Sequence, residues 1–129
     1  MYIAVDFDGT IVDHRFPEIG PFIPGAIEYL KKFKENGATL ILWTMRSDGG
    51  DHGNVLTEAV KTCEEKGIVF DHVNQHAQPW TTSPKVYAHI YIDDSAFGCP
   101  LKKYDFGWRP CVDWSIVGPA VLKELKYPF

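Results

Sequence analysis

Short, wholly apolar runs alternate along this chain with stretches whose apolar residues recur every three or four positions. The first run, Tyr2 to Val5, meets polar residues abruptly at Asp6-Phe7-Asp8-Gly9-Thr10. Ile11 to Phe22 has no period and carries Pro17, Gly20 and Pro21, which predicts a loop or flap. From Pro24, the apolar positions Ala26, Ile27, Tyr29, Leu30 and Phe33 follow helical spacing until Asn36-Gly37, a C-terminal stop signal. Ala38 to Trp43 reads as a second buried strand ending at Thr44, and Ser47 to Asn54 as a glycine-rich polar loop. A helix is expected from about Val55 to Lys66, closed by Gly67, then a third strand at Ile68 to Phe70. Asp71 to Pro84 is a long polar connection, and His89 to Ile92 a fourth strand running into Asp93-Asp94. Beyond it the pattern weakens: Cys111 to Trp114 suits a short edge strand, and Val117 to Lys126 a last helix despite Gly118 and Pro119.

Continuous apolar strands separated by helices predict an α/β fold whose central parallel sheet is covered on both faces. Ligands of such sheets bind at the carboxyl ends of the strands. Three of the four predicted strands end there in polar residues: Asp6, Thr44 and the pair Asp93-Asp94. With no repeat, low-complexity tract or linker, residues 1–129 are expected to form one domain.

Composition narrows the class of partner. Hydrophobic residues make up 45% and charged residues 23%, as in ordinary soluble domains. A net charge of −4 provides no general attraction to nucleic acid or an anionic membrane. The three cysteines, Cys63, Cys99 and Cys111, are odd in number and include no C-x-x-C pair, which fits reduced thiols in a cytoplasmic setting better than disulfides or a thiolate zinc site. MYIAVDFDGT lacks the basic start of a signal peptide, and no apolar run is long enough for a membrane span.

Asp6 and Asp8 lie two apart in an extended segment, which places them on one side and about 7 Å apart along the chain. Beside a second acidic pair such carboxylates repel; at about 4 Å the cost runs from ~1 kcal/mol in water to ~4 kcal/mol at a protein-like dielectric. A hard cation held by oxygen ligands, such as Mg²⁺, resolves that repulsion.

VDFDGTIV resembles the first motif, D-x-D-x-T, of the haloacid dehalogenase superfamily, and three further motifs follow in order. LILWT ends in Thr44, Lys85 stands upstream of the last core strand, and IYIDD ends in Asp93 and Asp94. The resemblance implies a Rossmannoid three-layer sandwich and a phosphatase that forms an aspartyl-phosphate. Asp6 would be the nucleophile, and Asp8 the acid and base, with its carbonyl also on the metal. Thr44 would bind a phosphoryl oxygen, Lys85 would neutralise charge, and Asp94 with Asp93 would complete the Mg²⁺ site. A carboxylate attacking a phosphate dianion needs positive charge from its surroundings, which Mg²⁺ and Lys85 would supply. The acid at position 8 favours phosphoryl transfer over dehalogenation, since halide leaves unprotonated.

Other residues have two readings. Arg46, two beyond Thr44, is either a ligand for substrate phosphate or carboxylate, or a surface arginine. Lys102 and Lys103 are substitutes for Lys85, though they follow the last motif. The loop Ser47 to Gly53, and likewise His14 and Arg15, either helps to select the leaving group or is solvated turn, and solvated turn is the first reading. His72 and His76 stand in non-helical surroundings, which argues against a zinc pair, and Trp80, Trp108 and Trp114 suit packing beneath loops.

Neither interval between the motifs has room for a cap domain, so the chain resembles the capless class. An open site suits either a macromolecular phosphate or a small substrate covered by a neighbouring subunit, and the absence of a basic surplus favours a small phosphorylated metabolite such as a sugar phosphate. Two other readings stay open: a macromolecular phosphate as substrate, and a binding domain without catalysis.

Overall fold

A computed structural model describes residues 1–76 and 78–126; Ala77, inside the expected polar connection, and residues 127–129 lie outside the described residues. Strands β1 (Tyr2–Val5), β2 (Thr39–Leu42), β3 (His72–Val73) and β4 (Ile90–Ile92) form one parallel sheet in the order β3-β2-β1-β4. Helix α1 (Ala26–Glu35) joins β1 to β2, and α2 (Val55–Glu65) joins β2 to β3. Strands β5 (Leu101–Lys102) and β6 (Cys111–Val112) pair antiparallel as a separate small sheet, and α3 (Trp114–Lys126) follows. No helix among the described residues is long and apolar enough to cross a membrane.

Strand alternation sorts the apolar residues between the two faces. In register, Ile3 pairs with Leu40 and Val5 with Leu42; these four share the main core with Leu30 and Phe33 of α1, Ala59 and Cys63 of α2, and Trp114 and Val117 of α3. Ala4 and Ile41 point the other way and pack with Val86, Trp43 and Ala88. Three helices therefore cover one face, while the other is covered by the irregular return from β3 to β4, which contains no helix among the described residues. The sheet is covered on both faces as expected, but among the described residues only one of the covering layers is helical, unlike the three-layer sandwich that the resemblance implies. Topology accounts for the asymmetry. Steps from β1 to β2 to β3 run in one direction, so right-handed crossovers stack α1 and α2 together, and the return passes over the opposite face.

Two strand expectations also change. Ile68 and Phe70 are buried, but their apolar run serves packing; pairing begins later, with Asp71 N donating to Leu40 O at 2.9 Å and Ile41 opposite His72. Cys111–Val112 pairs with β5 and not with the edge of the parallel sheet. The last helix starts three residues earlier than expected because Asp113 caps it, its Oδ1 accepting from Ser115 N at 3.1 Å. Gly118 is required inside that helix, since a Cβ would lie 2.4 Å from the Tyr29 ring of α1.

Candidate active site

The polypeptide leaves β1 through a tight loop. Phe7 is fully buried, and its carbonyl accepts from the amides of Thr10, Ile11 and Val12 at 3.1, 2.8 and 3.2 Å. Asp6 N donates to Ile92 O at 3.0 Å, which fixes the end of β1 against the end of β4. Carboxylate oxygens of Asp6, Asp93 and Asp94 consequently lie within 4.8 Å of one another. Thr10 knits them together: its hydroxyl is 3.2 Å from Asp6 Oδ2 and 3.4 Å from Asp94 Oδ1, and it accepts from Asp94 N at 3.2 Å.

Three carboxylates this close cannot all ionise without a counter-charge. Burial first, then the charge of Asp93 and hydrogen bonding to Asp94, push the Asp6 carboxyl from an ordinary 3.8 up to about 8. Asp93 is raised too, mainly by burial. A set of oxygen donors alone, short of positive charge, fits a divalent hard cation; Asp6, Asp93 and Asp94 are the residues that would hold it.

Asp8 faces the same cleft but is held from behind. Arg46 Nε and Nη2 each donate to one of its oxygens at 2.8 Å. The arginine is 2% exposed, also donates to the carbonyls of Pro17, Glu18 and Val55, and lies 5.0 Å and 5.2 Å from the Phe7 and Phe16 ring centres. Arg46 is neither of the two things expected of it: it is a buried clamp on Asp8, not a surface residue and not open to substrate. Asn74 supports the clamp, taking Thr44 N on Oδ1 at 2.8 Å and donating from Nδ2 to Arg46 O at 3.2 Å.

Asp6, Asp8, Thr44, Asp93 and Asp94 line one cleft of about 370 Å³ together with His14, Met45, Ser95 and Arg109. Lys85 is not among its lining residues; its ammonium lies 5.9 Å from the Tyr91 ring centre, and the expected charge-neutralising position is corrected on that ground. Neither substitute reaches the cleft. Lys102 lies over the Tyr104 ring, and Lys103 donates to the Gly107 carbonyl.

Thr10, Asn74 and Arg109 line or support the site without having been singled out from the sequence, and His14 was weighed there chiefly as a loop residue. Thr10 stood inside the first motif and was the most accessible to inference. His14, read as a loop residue, places Nε2 3.3 Å from Asp94 Oδ2 and 3.3 Å from Pro110 O. Of the tryptophans, Trp114 is buried as expected and donates to Thr10 O at 2.7 Å, whereas Trp80 and Trp108 are exposed.

No family model matches the chain, and no curated protein matches it. A solved structure of a conserved protein from Bacteroides thetaiotaomicron superposes with a TM-score of 0.76 at 36% sequence identity, covering 96% of this chain and 91% of that one. At that identity and coverage, the chain belongs to the same family as this conserved Bacteroides protein.

Proposed function

We propose that the chain is a Mg²⁺-dependent phosphatase of the haloacid dehalogenase type, acting on a small phosphorylated metabolite. The observation that carries this reading is the convergence of Asp6, Asp93, Asp94, Asp8 and Thr44 on one cleft at the carboxyl edge of a parallel sheet. One helix in each interval between the motif-bearing strands supports the capless form, and a cleft of about 370 Å³ suits a small substrate.

In this mechanism an Asp6 oxygen attacks phosphorus as the bond to the leaving oxygen breaks, giving an aspartyl-phosphate on Asp6. The leaving oxygen takes a proton from Asp8. Water then attacks the phosphoryl group, gives its proton to Asp8, and releases phosphate and the Asp6 carboxylate. Asp6, Asp93 and Asp94 would hold Mg²⁺, which would supply the positive charge that lets one anion approach another. Thr44 orients a phosphoryl oxygen. Because both Asp8 oxygens are committed to Arg46, Asp8 turns away from that pair when it exchanges protons with substrate.

The test is phosphate release from a panel of phosphorylated metabolites, with Mg²⁺ or EDTA, for wild type and Asp6→Asn. Release that needs both the metal and Asp6 supports the reading. Equal release from Asp6→Asn removes Asp6 as nucleophile, and silence with every compound, including short phosphorylated oligonucleotides and phosphopeptides, removes the enzymatic reading.

A further inference from the structure

A phosphatase cleft with four carboxylates on its wall and Lys85 elsewhere needs another side-chain cation to meet the incoming phosphate. The chain has three arginines, and two are already engaged: Arg46 by Asp8, and Arg15 by Asp13, Nε to Oδ2 at 2.9 Å. Arg109 lines the cleft, and among the described residues its guanidinium has no carboxylate or hydrogen-bond partner. Resting on the phosphatase reading, we infer that Arg109, from the segment between β5 and β6, is the phosphate-binding cation of this site.

Arg109 is exposed, but the segment that carries it is held by its neighbours. The guanidinium carbon lies 5.5 Å from the Trp108 ring centre, and Trp108 Nε1 donates to His14 O at 3.3 Å. On the other side, Pro110 O meets His14 Nε2 at 3.3 Å, and Val112 N of β6 donates to Gly9 O at 3.0 Å. The segment carrying Arg109 is thus tied by three hydrogen bonds to the loop that follows Asp6 and Asp8. A planar guanidinium fork matches two phosphoryl oxygens at once, which a lysine ammonium does not. The electrostatic task is the one Lys85 was expected to perform, taken over by a residue that follows the last motif in sequence.

Calorimetric titration separates the ligands, using inorganic phosphate on the Mg²⁺-loaded protein and Mg²⁺ alone on the metal-free protein, for wild type, Arg109→Ala, Arg109→Lys and Lys85→Ala. Arg109→Ala is expected to weaken phosphate binding about 10- to 100-fold, to leave Mg²⁺ affinity within about twofold, and to lower kcat/KM for p-nitrophenyl phosphate roughly 100-fold or more. Arg109→Lys should recover part of each loss, and Lys85→Ala should match wild type. Arg109→Ala with wild-type phosphate affinity overturns the proposal while an active wild type leaves the phosphatase reading standing. Loss in Lys85→Ala alone, or a change confined to Mg²⁺ affinity in Arg109→Ala, overturns it as well. A wild type that neither binds phosphate nor turns over overturns both.

Discussion

Arg46 and Asp8, thirty-eight positions apart, meet through two parallel 2.8 Å hydrogen bonds that bring the turn after β2 against the loop after β1. The guanidinium also satisfies three backbone carbonyls, so the pair anchors the loop around Pro17 and the start of α2 together with the site. Replacing Arg46 by Ala leaves Asp8 without its partner and those carbonyls without a donor. The expected cost is about 3–5 kcal/mol of folding stability, the range for breaking one side of a buried ion pair. Urea unfolding measures it. A loss below about 1 kcal/mol would place the pair in the range of exposed salt bridges and refute the clamp.

Glycine at position 9 is set by its surroundings as well as by its φ of 83°. A Cβ there would fall 2.2 Å from His14 Cε1 and 2.6 Å from Asp94 Oδ2. Gly37 has nearly the same φ, 88°, but nothing within 4 Å of its Cβ position. Both Ala variants should lose roughly 1–2 kcal/mol to the left-handed conformation. Gly9→Ala should lose more, and Mg²⁺ affinity with it, because the added methyl displaces Asp94. Equal stability losses in the two variants, with metal binding unchanged, would show that the site tolerates the methyl.

What the sequence made legible follows from how local each signal was. Helix α1 carried its whole case in a ten-residue window of apolar spacing with a stop at Asn36-Gly37, and β1 in four apolar residues before an acid. The three acids at the sheet edge were legible because ligands of open parallel sheets bind beyond the carboxyl ends of the strands. The β3 position was not, since Ile68 and Phe70 are apolar for the sake of the core while the residues that pair are His72 and Val73. Arg46, Lys85 and Arg109 were misplaced or overlooked for a related reason. Each cation has a long side chain on irregular backbone, where no periodic pattern says which way it points, and Arg46 finds its partner 38 positions away.

Helix α2 draws its N-terminal cap from outside the usual position. Asn54 makes no side-chain cap bond; Asp48, in the glycine-rich loop, accepts from Leu56 N and Thr57 N at 3.0 Å each and from Thr57 Oγ1 at 2.5 Å. Those bonds hold the Asp48 carboxyl below its ordinary 3.8. A carboxyl lowered by folding stabilises the native state above the unfolded value, and that contribution is lost as pH falls through the lower, folded value. Asp48→Ala should therefore melt below wild type at neutral pH, with the two melting temperatures converging in acid below 3.8. A gap independent of pH would mean that the charge on Asp48 is not what caps the helix.

Asp6 shifts in the opposite direction, and its sign reverses. With no metal bound, the folded chain keeps the Asp6 proton up to about 8, whereas the unfolded chain releases it near 3.8. Between those values the unfolded state binds fewer protons, so this group makes stability fall as pH rises, and the fall ends above about 8. Asp6→Asn cannot ionise and lacks that decline. The difference in melting temperature between Asp6→Asn and wild type, both in EDTA, should widen steadily from about pH 5 to about pH 8 and then level. Mg²⁺ reverses the trend, because it binds the ionised carboxylate and must displace the proton. Its affinity for wild type should climb by at most about tenfold per pH unit up to the same point, with proton release measurable in buffers of different ionisation enthalpy. Parallel melting profiles for the two proteins, together with metal affinity that ignores pH, would show that Asp6 ionises like an exposed carboxyl and that the three acids do not form one coupled site.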